Sequence, residues 1–389
     1  MPFHGKVLHA ALGPRPFSTF LLTHSVLVFR YGLLSTPGVW MMKLGIVGLP
    51  QSGKSTTFAA LTGARGQEGD QKGSRPDHKM GTLRVADERV DFLTQIYKPK
   101  KTTFAQVEYL LPFQPLATAQ AKSENLTWNQ IRICDALVHV VRNFVAPGGI
   151  KPDAEADYQR FEEEMILNDL VVAEKRIERI EMDSKRGKKP PEEEYALIKE
   201  CKEILEQGKP IRAKPELADA QVLRGFTFLS AKPQLVIINN DDTDESMPEW
   251  KTIPEHAKIM VVRSRLEMDI ASMSLEEAED FMKEYRIQES ALDRVIRSSY
   301  SLLNLISFFT VLNDEVRAWT IKQGSPAVEA AGAVHSDMKK GFIRAEVLPF
   351  ANLRKHGSFQ DAKQKGLVRL EGKGYIVQDG DIINFRFNV

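Results

Sequence analysis

The octapeptide Gly48-Leu49-Pro50-Gln51-Ser52-Gly53-Lys54-Ser55 constrains the fold of this 389-residue chain more than any other segment, because it matches the pattern GxxxxGK[ST]. An apolar run, Leu44–Val47, precedes it, and a helical pattern over Ser55–Leu61, closed by Gly63, follows it. A strand, a glycine-containing loop and a helix in this order are the elements of a phosphate-binding loop. The sequence therefore predicts a P-loop fold around this segment.

The residue types in this loop suit the phosphate chain of a nucleotide. Glycines let the backbone curl, so that its N–H groups and the following helix N-terminus point toward an anion. Lys54 would reach the β- and γ-phosphates, and the Ser55 hydroxyl would ligate Mg²⁺. The predicted nucleotide-binding residues of this segment are Gly48, Leu49, Pro50, Gln51, Ser52, Gly53, Lys54, Ser55 and Thr56.

Short apolar runs alternate with helical patterns over residues 42–304. This alternation is typical of an α/β domain, in which helices cover both faces of a mostly parallel sheet. The predicted strands are Leu44–Val47, Val107–Leu111, Ala136–Val141, Leu235–Asn239 and Ile259–Val262.

Residues 153–208 differ in character from the segments on either side. Apolar residues recur at helical spacing in a highly charged background, the stretch Asp183–Pro191 interrupts the pattern, and Tyr195–Leu205 resumes it. Two charged helices joined by a turn predict an antiparallel helical hairpin inserted into the sheet domain. Residues 42–152 and 209–304 would then form one nucleotide-binding domain.

Residues 305–389 predict a third, smaller domain of mixed strand and helix. A proline opens the helical pattern, and Asp379-Gly380 between two strand-like runs predicts a β-hairpin. The predicted elements are a strand at Val316–Ile321, a helix at Pro326–Ala333, a strand at Gly341–Val347, and the hairpin runs Gly374–Val377 and Ile382–Phe387.

Several stretches closely resemble the YchF/Obg-like ATPase family. They are LGIVGLPQSGKSTTFAALTGA, DALVHVVRNF, KPQLVIINNDD, EVRAWTIKQG, GFIRAEV and RLEGKGYIVQDGDIINFRFNV. The resemblance implies an Obg-type P-loop domain with a doubly wound, mostly parallel sheet, an inserted helical hairpin, and a C-terminal TGS domain of β-grasp shape. It also implies Mg²⁺ with ATP, often in preference to GTP, and a link to ribosomes and translation or stress responses.

The base-side motif leaves the choice of nucleotide open. GTPases use NKxD here, the family pattern resembles NxxE, and this chain has Asn239-Asn240-Asp241-Asp242. The missing lysine favours ATP, whereas Asp242 partly restores the guanine pattern. Arg263–Glu267 is either the remaining base-side loop or an ordinary polar turn.

The family's DxxG motif is replaced. Aligned on the family pattern, Leu111 stands at the Asp, which would hold the Mg²⁺ water shell, and Gln114 at the Gly, which would sense the γ-phosphate. Ser74 is the remaining candidate for the Mg²⁺ cap in the first switch, and a glycine-free run, Pro115–Thr127, replaces the following loop. We therefore expect slow or absent hydrolysis, and a solvated rather than catalytic role for the nearby His78.

The first 41 residues contain Lys6, Arg15 and Arg30 but no acidic residue, and their apolar run is too short to span a membrane. A start at Met41 or Met42 is the favoured interpretation, and a targeting segment is the alternative. The two cysteines, Cys134 and Cys201, lie in no metal or disulfide motif, so a reducing, cytoplasmic setting fits.

Three functions remain open at this stage. The chain is a slow ATPase that regulates a ribosome-like partner, a catalytically dead adaptor, or a GTP-selective switch. In the TGS region, a set of basic residues could line one RNA-binding face with the ring of Trp319, or Trp319 could belong to the core. The basic set is Arg317, Lys322, Lys339, Lys340 and Arg344.

Overall fold

The computed structural model describes residues 42–63, 78–112, 127–285, 287, 289–312 and 314–388. Six strands form the first sheet in the order β2-β4-β1-β5-β6-β7, in which every neighbouring pair is parallel except β2 and β4. The sheet thus confirms the doubly wound, mostly parallel prediction. Its strands are β1 (Met42–Val47), β2 (His78–Arg84), β4 (Gln106–Pro112), β5 (Ala136–Asn143), β6 (Gln234–Asn240) and β7 (Lys258–Val262).

All five predicted strands of this domain are present, each one or two residues longer than its apolar run. The runs are continuous rather than alternating because helices cover both faces of the sheet. One face is covered by α1 (Lys54–Thr62), α2 (Glu88–Tyr97), α6 (Ser264–Ser272) and α8 (Ala291–Leu302). The other face is covered by the first turns of α3 (Ala154–Lys185), and α7 (Leu275–Glu284) follows α6 without burying any of its described side chains in the sheet.

The predicted helical hairpin is also confirmed. Helix α3 (Ala154–Lys185) is capped by the Asp153 carboxylate, and α4 (Glu192–Glu206) packs back against it through Ile177 and Ile198. The chain reverses at Gly187, whose φ of 84° suits glycine. Short helical segments then return the chain to the sheet: Ile211–Ala213, α5 (Pro215–Ala218) and Gln221–Phe226.

Two buried carboxylates of α3 attach the hairpin to the sheet domain. Glu162 pairs with Arg212 at 3.0 and 3.2 Å, and its Oε1 also accepts a hydrogen bond from Gln234 at 2.7 Å. Asp169 accepts the backbone N–H groups of Leu229 and Ser230 at 3.0 and 2.7 Å. A buried carboxylate left without partners is costly, so these contacts fix the hairpin's base.

The second sheet has the order β11-β10-β12-β8-β9-β3, with β8 and β12 parallel at its centre and a helix across one face. This is a β-grasp arrangement, as the family resemblance implied. Its strands are β3 (Lys101–Thr103), β8 (Leu305–Leu312), β9 (Glu315–Lys322), β10 (Phe342–Pro349), β11 (Arg369–Glu371) and β12 (Asp381–Phe387). The associated helices are α9 (Ala327–Val334), α10 (Ser336–Lys340), α11 (Phe350–His356) and α12 (Phe359–Gln364).

The two sheets share a segment of chain and a helix. Strand β3, which leads directly into β4, pairs with β9 of the second sheet. On α8, Ser299 accepts from the Tyr109 hydroxyl of β4 at 3.1 Å, while the next residue, Tyr300, bonds Ser307 of β8 at 2.9 Å. The sheet domain and the C-terminal domain therefore pack through buried, hydrogen-bonded contacts.

The predicted C-terminal hairpin is wrong. Residues Gly374–Val377 form no strand, Ile376 makes only a single bridge to Pro326, and β12 pairs with β10 and β8 instead. The Asp379-Gly380 turn is held by β8, because the Asp379 carboxylate accepts the Ser307 N–H at 2.9 Å and Gly380 N donates to Ser307 O at 2.8 Å. The turn thus serves a long-range contact rather than a local pairing.

Two groups of predictions remain, one about a membrane span and one about segments of the chain outside the described residues. Within the described residues, no helix combines the length and hydropathy needed to cross a bilayer. The predictions for residues 1–41, Ser74, Gln114 and most of the run 115–127 lie outside the described residues.

Candidate functional site

The phosphate loop joins the end of β1 to the start of α1, as predicted. Its backbone has positive φ at Gly48 (141°), Gln51 (63°) and Gly53 (96°). A Cβ on Gly48 would lie 2.3 Å from Val140 O, and one on Gly53 would lie 2.1 Å from Asn239 Nδ2. Both motif glycines are therefore required by close backbone approach as well as by backbone conformation.

Lys54 points back into the curl of its own loop. Its Nζ donates to Gly48 O at 2.9 Å and to Leu49 O at 2.6 Å, and the residue is only 8% exposed. Burial lowers the pKa of Lys54 to about 8, because the charged form loses solvation. The ammonium group therefore lies where the curled backbone would meet an anion.

The other predicted loop residues divide by exposure. Pro50, Gln51 and Ser55 are exposed, while Ser52 is buried. The Ser52 hydroxyl has no hydrogen-bond partner among the described residues, although its backbone carbonyl is bonded. The exposed position of Ser55 leaves its hydroxyl accessible from the solvent side of the loop.

Asn239 connects the base-side strand to the phosphate loop. Its Nδ2 donates to Ser52 O at 3.0 Å, and its Oδ1 accepts the Ser264 N–H at 3.1 Å. The Ser264 hydroxyl in turn lies 2.8 Å from the Thr57 hydroxyl of α1. These contacts link the phosphate loop, α1 and the segment after β7, with Asn239 bonded directly to the loop.

Asp242 lies two residues beyond the end of β6, the strand that carries Asn239, and has a different neighbour. Its Oδ1 accepts the Leu266 N–H at 3.0 Å, and Arg263 donates to its carbonyl at 3.4 Å. Glu267 is buried and caps α8, accepting from Ser290 and Ala291 at 2.7 and 2.9 Å. Of the stretch Arg263–Glu267, three residues therefore contact the Asn239–Asp242 segment, namely Arg263, Ser264 and Leu266, whereas Glu267 holds the start of α8.

Sequence reasoning did not identify two residues of this region. Phe144, directly after β5, has a ring atom 3.9 Å from the position that a Cβ on Gly53 would take, and Thr57 makes the hydroxyl contact to Ser264. An apolar residue carries no chemical signature. The available signal was the position of Phe144 after β5, a strand that neighbours β1, because the loops that follow parallel strands meet at one edge of the sheet.

The end of β4, which neighbours β1, offers no ligand. Leu111 is 8% exposed and packs in the core on the same side as Tyr109. His78, at the start of β2, lies 3.2 Å from Met80 Sδ, and no carboxylate bonds it in the described part of the chain. No described cluster of three His, Cys, Asp or Glu side chains could hold a metal.

A buried histidine lies beside the phosphate loop. His139 pairs in register with Val47, the residue before Gly48, and its ring stacks on Tyr158 of the hairpin at 5.3 Å. Burial, reinforced by the charges of Arg212 and Lys54, lowers the pKa of His139 to about 3. It is therefore neutral at physiological pH and packs the hairpin onto the sheet rather than titrating.

The basic residues predicted to line one face of the C-terminal domain do not share a face. Trp319 is 8% exposed and belongs to the core, with its Nε1 donating to Thr310 at 2.9 Å. Arg317 lies over that ring at 3.9 Å, and Lys339 pairs with Glu329 on the same side of the sheet. Arg344 lies on the other side of the sheet, because successive side chains along β10 point to opposite sides.

Comparisons with known proteins cover nearly the whole described chain. Residues 305–388 match the YchF-GTPase_C family, described as a protein of unknown function (DUF933). The ribosome-binding ATPase YchF of Bacillus subtilis (strain 168) is 38% identical over 362 residues, which are 89% of this chain and 99% of the relative. The protein of the same name from Escherichia coli O157:H7 is 38% identical over 363 residues, with the same coverage.

A solved structure gives the same result. The YchF GTPase of Schizosaccharomyces pombe superposes with a TM-score of 0.73 at 26% identity, over 89% of this chain and 97% of that one. Identity of this extent, matching fold and a shared C-terminal domain lead to one conclusion: the chain belongs to the YchF family.

Proposed function

We propose that this protein binds ATP at the phosphate loop, hydrolyses it slowly and acts in association with the ribosome. The observation that carries the proposal is the glycine-lined loop around buried Lys54, closed by Asn239. The bacterial relatives that are 38% identical to it are named ribosome-binding ATPases.

The triphosphate would lie against the loop backbone, with Lys54 moving from its carbonyl partners to the β- and γ-phosphates. Asn239 would hold the loop open by its bond to Ser52. The residues we assign to the nucleotide are Gly48, Leu49, Pro50, Gln51, Ser52, Gly53, Lys54, Ser55, Thr56, Asn239 and Asp242.

Mg²⁺ would enter with the nucleotide. The exposed Ser55 hydroxyl supports a single protein ligand, whereas the apolar Leu111 offers none. Such an ion is commonly held by phosphate oxygens, water and few protein groups, and it neutralises phosphate charge. The residues present fit a nucleotide-borne ion and not an all-protein cage.

ATP is favoured over GTP by the contacts of Asp242. A guanine-reading aspartate accepts two N–H groups from the base, and here one carboxylate oxygen already accepts the Leu266 N–H. The absence of the NKxD lysine acts in the same direction. Competition between the two nucleotides decides this point, since the fungal relative is described as a GTPase.

Slow hydrolysis follows from Leu111. Without the DxxG carboxylate, the water shell of Mg²⁺ lacks its usual anchor, and a lost electrostatic group of this kind commonly costs about 3 kcal/mol of barrier lowering. Phosphate binding by the loop does not require that carboxylate, so ATP can bind well and still be hydrolysed slowly.

The remaining units would serve the partner. In this assignment residues 42–152 and 209–304 bind nucleotide, while the hairpin (153–208) and the TGS domain (305–389) contact the ribosome. A ribosomal partner would place the protein in the cytoplasm.

Calorimetry tests the nucleotide half of the proposal. The full chain, titrated with ATP, GTP and a non-hydrolysable ATP analogue with and without Mg²⁺, should bind ATP more tightly than GTP. Lys54→Ala should abolish binding, whereas Lys188→Ala, which removes an exposed lysine at the hairpin turn, should not change it.

Sedimentation with ribosomes tests the partner. Retention by ribosomes with ATP, and loss in Lys54→Ala, would support a nucleotide-controlled association. Absence of binding to either nucleotide would replace the proposal with an adaptor, and tighter GTP binding would replace it with a GTP switch.

A further inference from the structure

Two arginines face each other on neighbouring strands of the C-terminal sheet. The pairing of β10 and β12 is irregular between Phe342 and Arg344, after which Arg344 lies directly opposite Arg386. Like charges in directly opposed positions destabilise a sheet. A bulge of this kind re-aims side chains and commonly accompanies functional positions. The opposed arginines therefore do not by themselves stabilise the fold.

Within the described residues, the one carboxylate that contacts this arginine pair is shared with a lysine. Glu346, 3% exposed, accepts from Lys363 Nζ at 2.9 Å and also from Arg386. Burial opposes ionisation, yet these two cations lower the pKa of Glu346 below its ordinary value. One negative charge thus serves two cations. Arg344 is exposed and makes no ion pair within the described residues.

Glu346 fixes the position of the cations without cancelling them. Lys363 and Arg386 remain 52% and 53% exposed although they contact a buried carboxylate. Leu370 of the edge strand, opposite Glu346, adds an exposed apolar side chain, 53% of which is accessible. We call the surface formed by Arg344, Lys363, Leu370 and Arg386 the Arg344 patch. It is held in place, cationic and open to solvent.

We propose that the Arg344 patch binds the phosphodiester backbone of RNA, an inference that rests on the ribosome association proposed above. Phosphate groups repeat along a strand, so they match adjacent guanidinium groups, each of which can bind a phosphate through two parallel N–H bonds. Phosphate would also relieve the repulsion between Arg344 and Arg386. An acidic protein segment is the competing partner.

The decisive variant is Arg344→Glu, because its effects on stability and on binding have opposite signs. The new carboxylate would face Arg386 and replace repulsion with attraction, so the melting temperature should stay constant or rise. The affinity for a fluorescent 20-nucleotide oligouridine should fall about tenfold. Because about one phosphate contact is lost, the slope of log affinity against log salt concentration should become shallower by about 0.7, the value per phosphate for single strands. A residue with a merely structural role would not give this combination.

Two further variants serve as controls. Arg344→Lys keeps the charge and should retain most of the affinity and the full salt slope. Lys283→Glu reverses an exposed charge on α7, outside the hairpin and the C-terminal domain, and should leave oligouridine binding unchanged. ATP affinity, measured by calorimetry, should be the same in all variants.

The outcomes separate the two proposals. Unchanged oligouridine binding in Arg344→Glu, with wild-type protein still sedimenting with ribosomes, would overturn the patch and leave the proposed function standing. Displacement of ribosomes by polyaspartate but not by oligouridine would overturn RNA in favour of an acidic protein. Failure of the wild-type chain to associate with ribosomes would overturn the proposed function itself.

Discussion

The ends of two adjacent parallel strands differ in what they offer a nucleotide. Strand β1 ends in the phosphate loop, where two glycines allow close backbone approach, Lys54 is buried in the curl and Asn239 bonds the loop. Strand β4, its neighbour in the sheet, ends in Leu111 and Pro112, both buried and apolar. We therefore expect the first end to bind phosphate and the second to support only slow hydrolysis.

From this difference we expect nucleotide binding and turnover to depend on separate parts of one fold. The loop is stabilised by contacts to β5, β6 and the segment after β7, and Leu111 contributes to none of them. Leu111 instead packs in the hydrophobic core, so losing a metal ligand there need not unfold the sheet. The four predictions below test that separation, from the largest expected effect to the smallest.

Gly53→Ala should have the largest effect. The new Cβ would lie 2.1 Å from Asn239 Nδ2 at a φ of 96°, so the loop and its bridge cannot both keep their positions. We expect ATP affinity to fall more than a hundredfold, with a stability loss of about 3 kcal/mol or more. Calorimetry and thermal unfolding measure both.

Gly208→Ala is the matched control for Gly53→Ala. Its φ of 70° imposes similar backbone strain, but no atom lies within 4 Å of the new Cβ. We expect about 1–2 kcal/mol of destabilisation and unchanged ATP affinity. Equal losses of affinity in both variants would show that strain alone, and not the clash with Asn239, disables the loop.

Asn239→Ala should weaken binding by about tenfold or more and lower the free energy of unfolding by about 2–4 kcal/mol. The substitution leaves the buried Ser264 N–H and the Ser52 carbonyl without their partner, and each unpaired buried group commonly costs about 1–3 kcal/mol. Asn384→Ala, at an exposed position of β12, is the control. A stable Asn239→Ala protein with normal affinity would remove the bridge from the site.

ATP affinity should fall as the pH rises above about 8. The pKa of Lys54 in the free protein is lowered to about 8, and phosphate requires the charged form, so affinity should be flat below pH 8 and about tenfold weaker at pH 9. The Lys54 ammonium group also releases a proton when the chain folds, because its pKa is higher in the unfolded chain than in the folded protein. Its contribution to stability is therefore least favourable below pH 8 and improves from there toward pH 10.5.

Lys54→Arg provides the control for the pH series, because a guanidinium group does not titrate in this range. Its ATP affinity, measured by calorimetry from pH 7 to 9.5, should be independent of pH. An equal decline in both proteins would assign the effect to another group.

Leu111→Asp should produce the smallest change in binding. Mg²⁺ strengthens ATP binding, and with a carboxylate at this position the ratio of affinities with and without Mg²⁺ should be a few-fold larger. Burying the carboxylate should lower the free energy of unfolding by about 2–4 kcal/mol. Turnover should remain slow because Gln114 still replaces the glycine that would sense the γ-phosphate. Leu111→Asn is the uncharged control, and an equal Mg²⁺ effect in all three proteins would contradict the role given to Leu111.

The sequence alone determined whatever depends on contiguous residues. The phosphate loop, its flanking strand and helix, the five core strands and the helical hairpin all follow from local spacing and hydrophobic period, because each is an element whose pattern lies within one stretch of chain. The substitution at Leu111 was also visible there, since it is a change of residue type within a recognisable motif.

Only the tertiary structure decided the contacts between distant residues. It bound Asn239 to Ser52, buried Trp319 under Arg317, joined β3 to β9, held the Asp379-Gly380 turn against β8, and opposed Arg344 to Arg386. None of these pairings has a local signature. Each depends on which strands become neighbours, and that choice is made by burial of the whole apolar surface and not by any one segment.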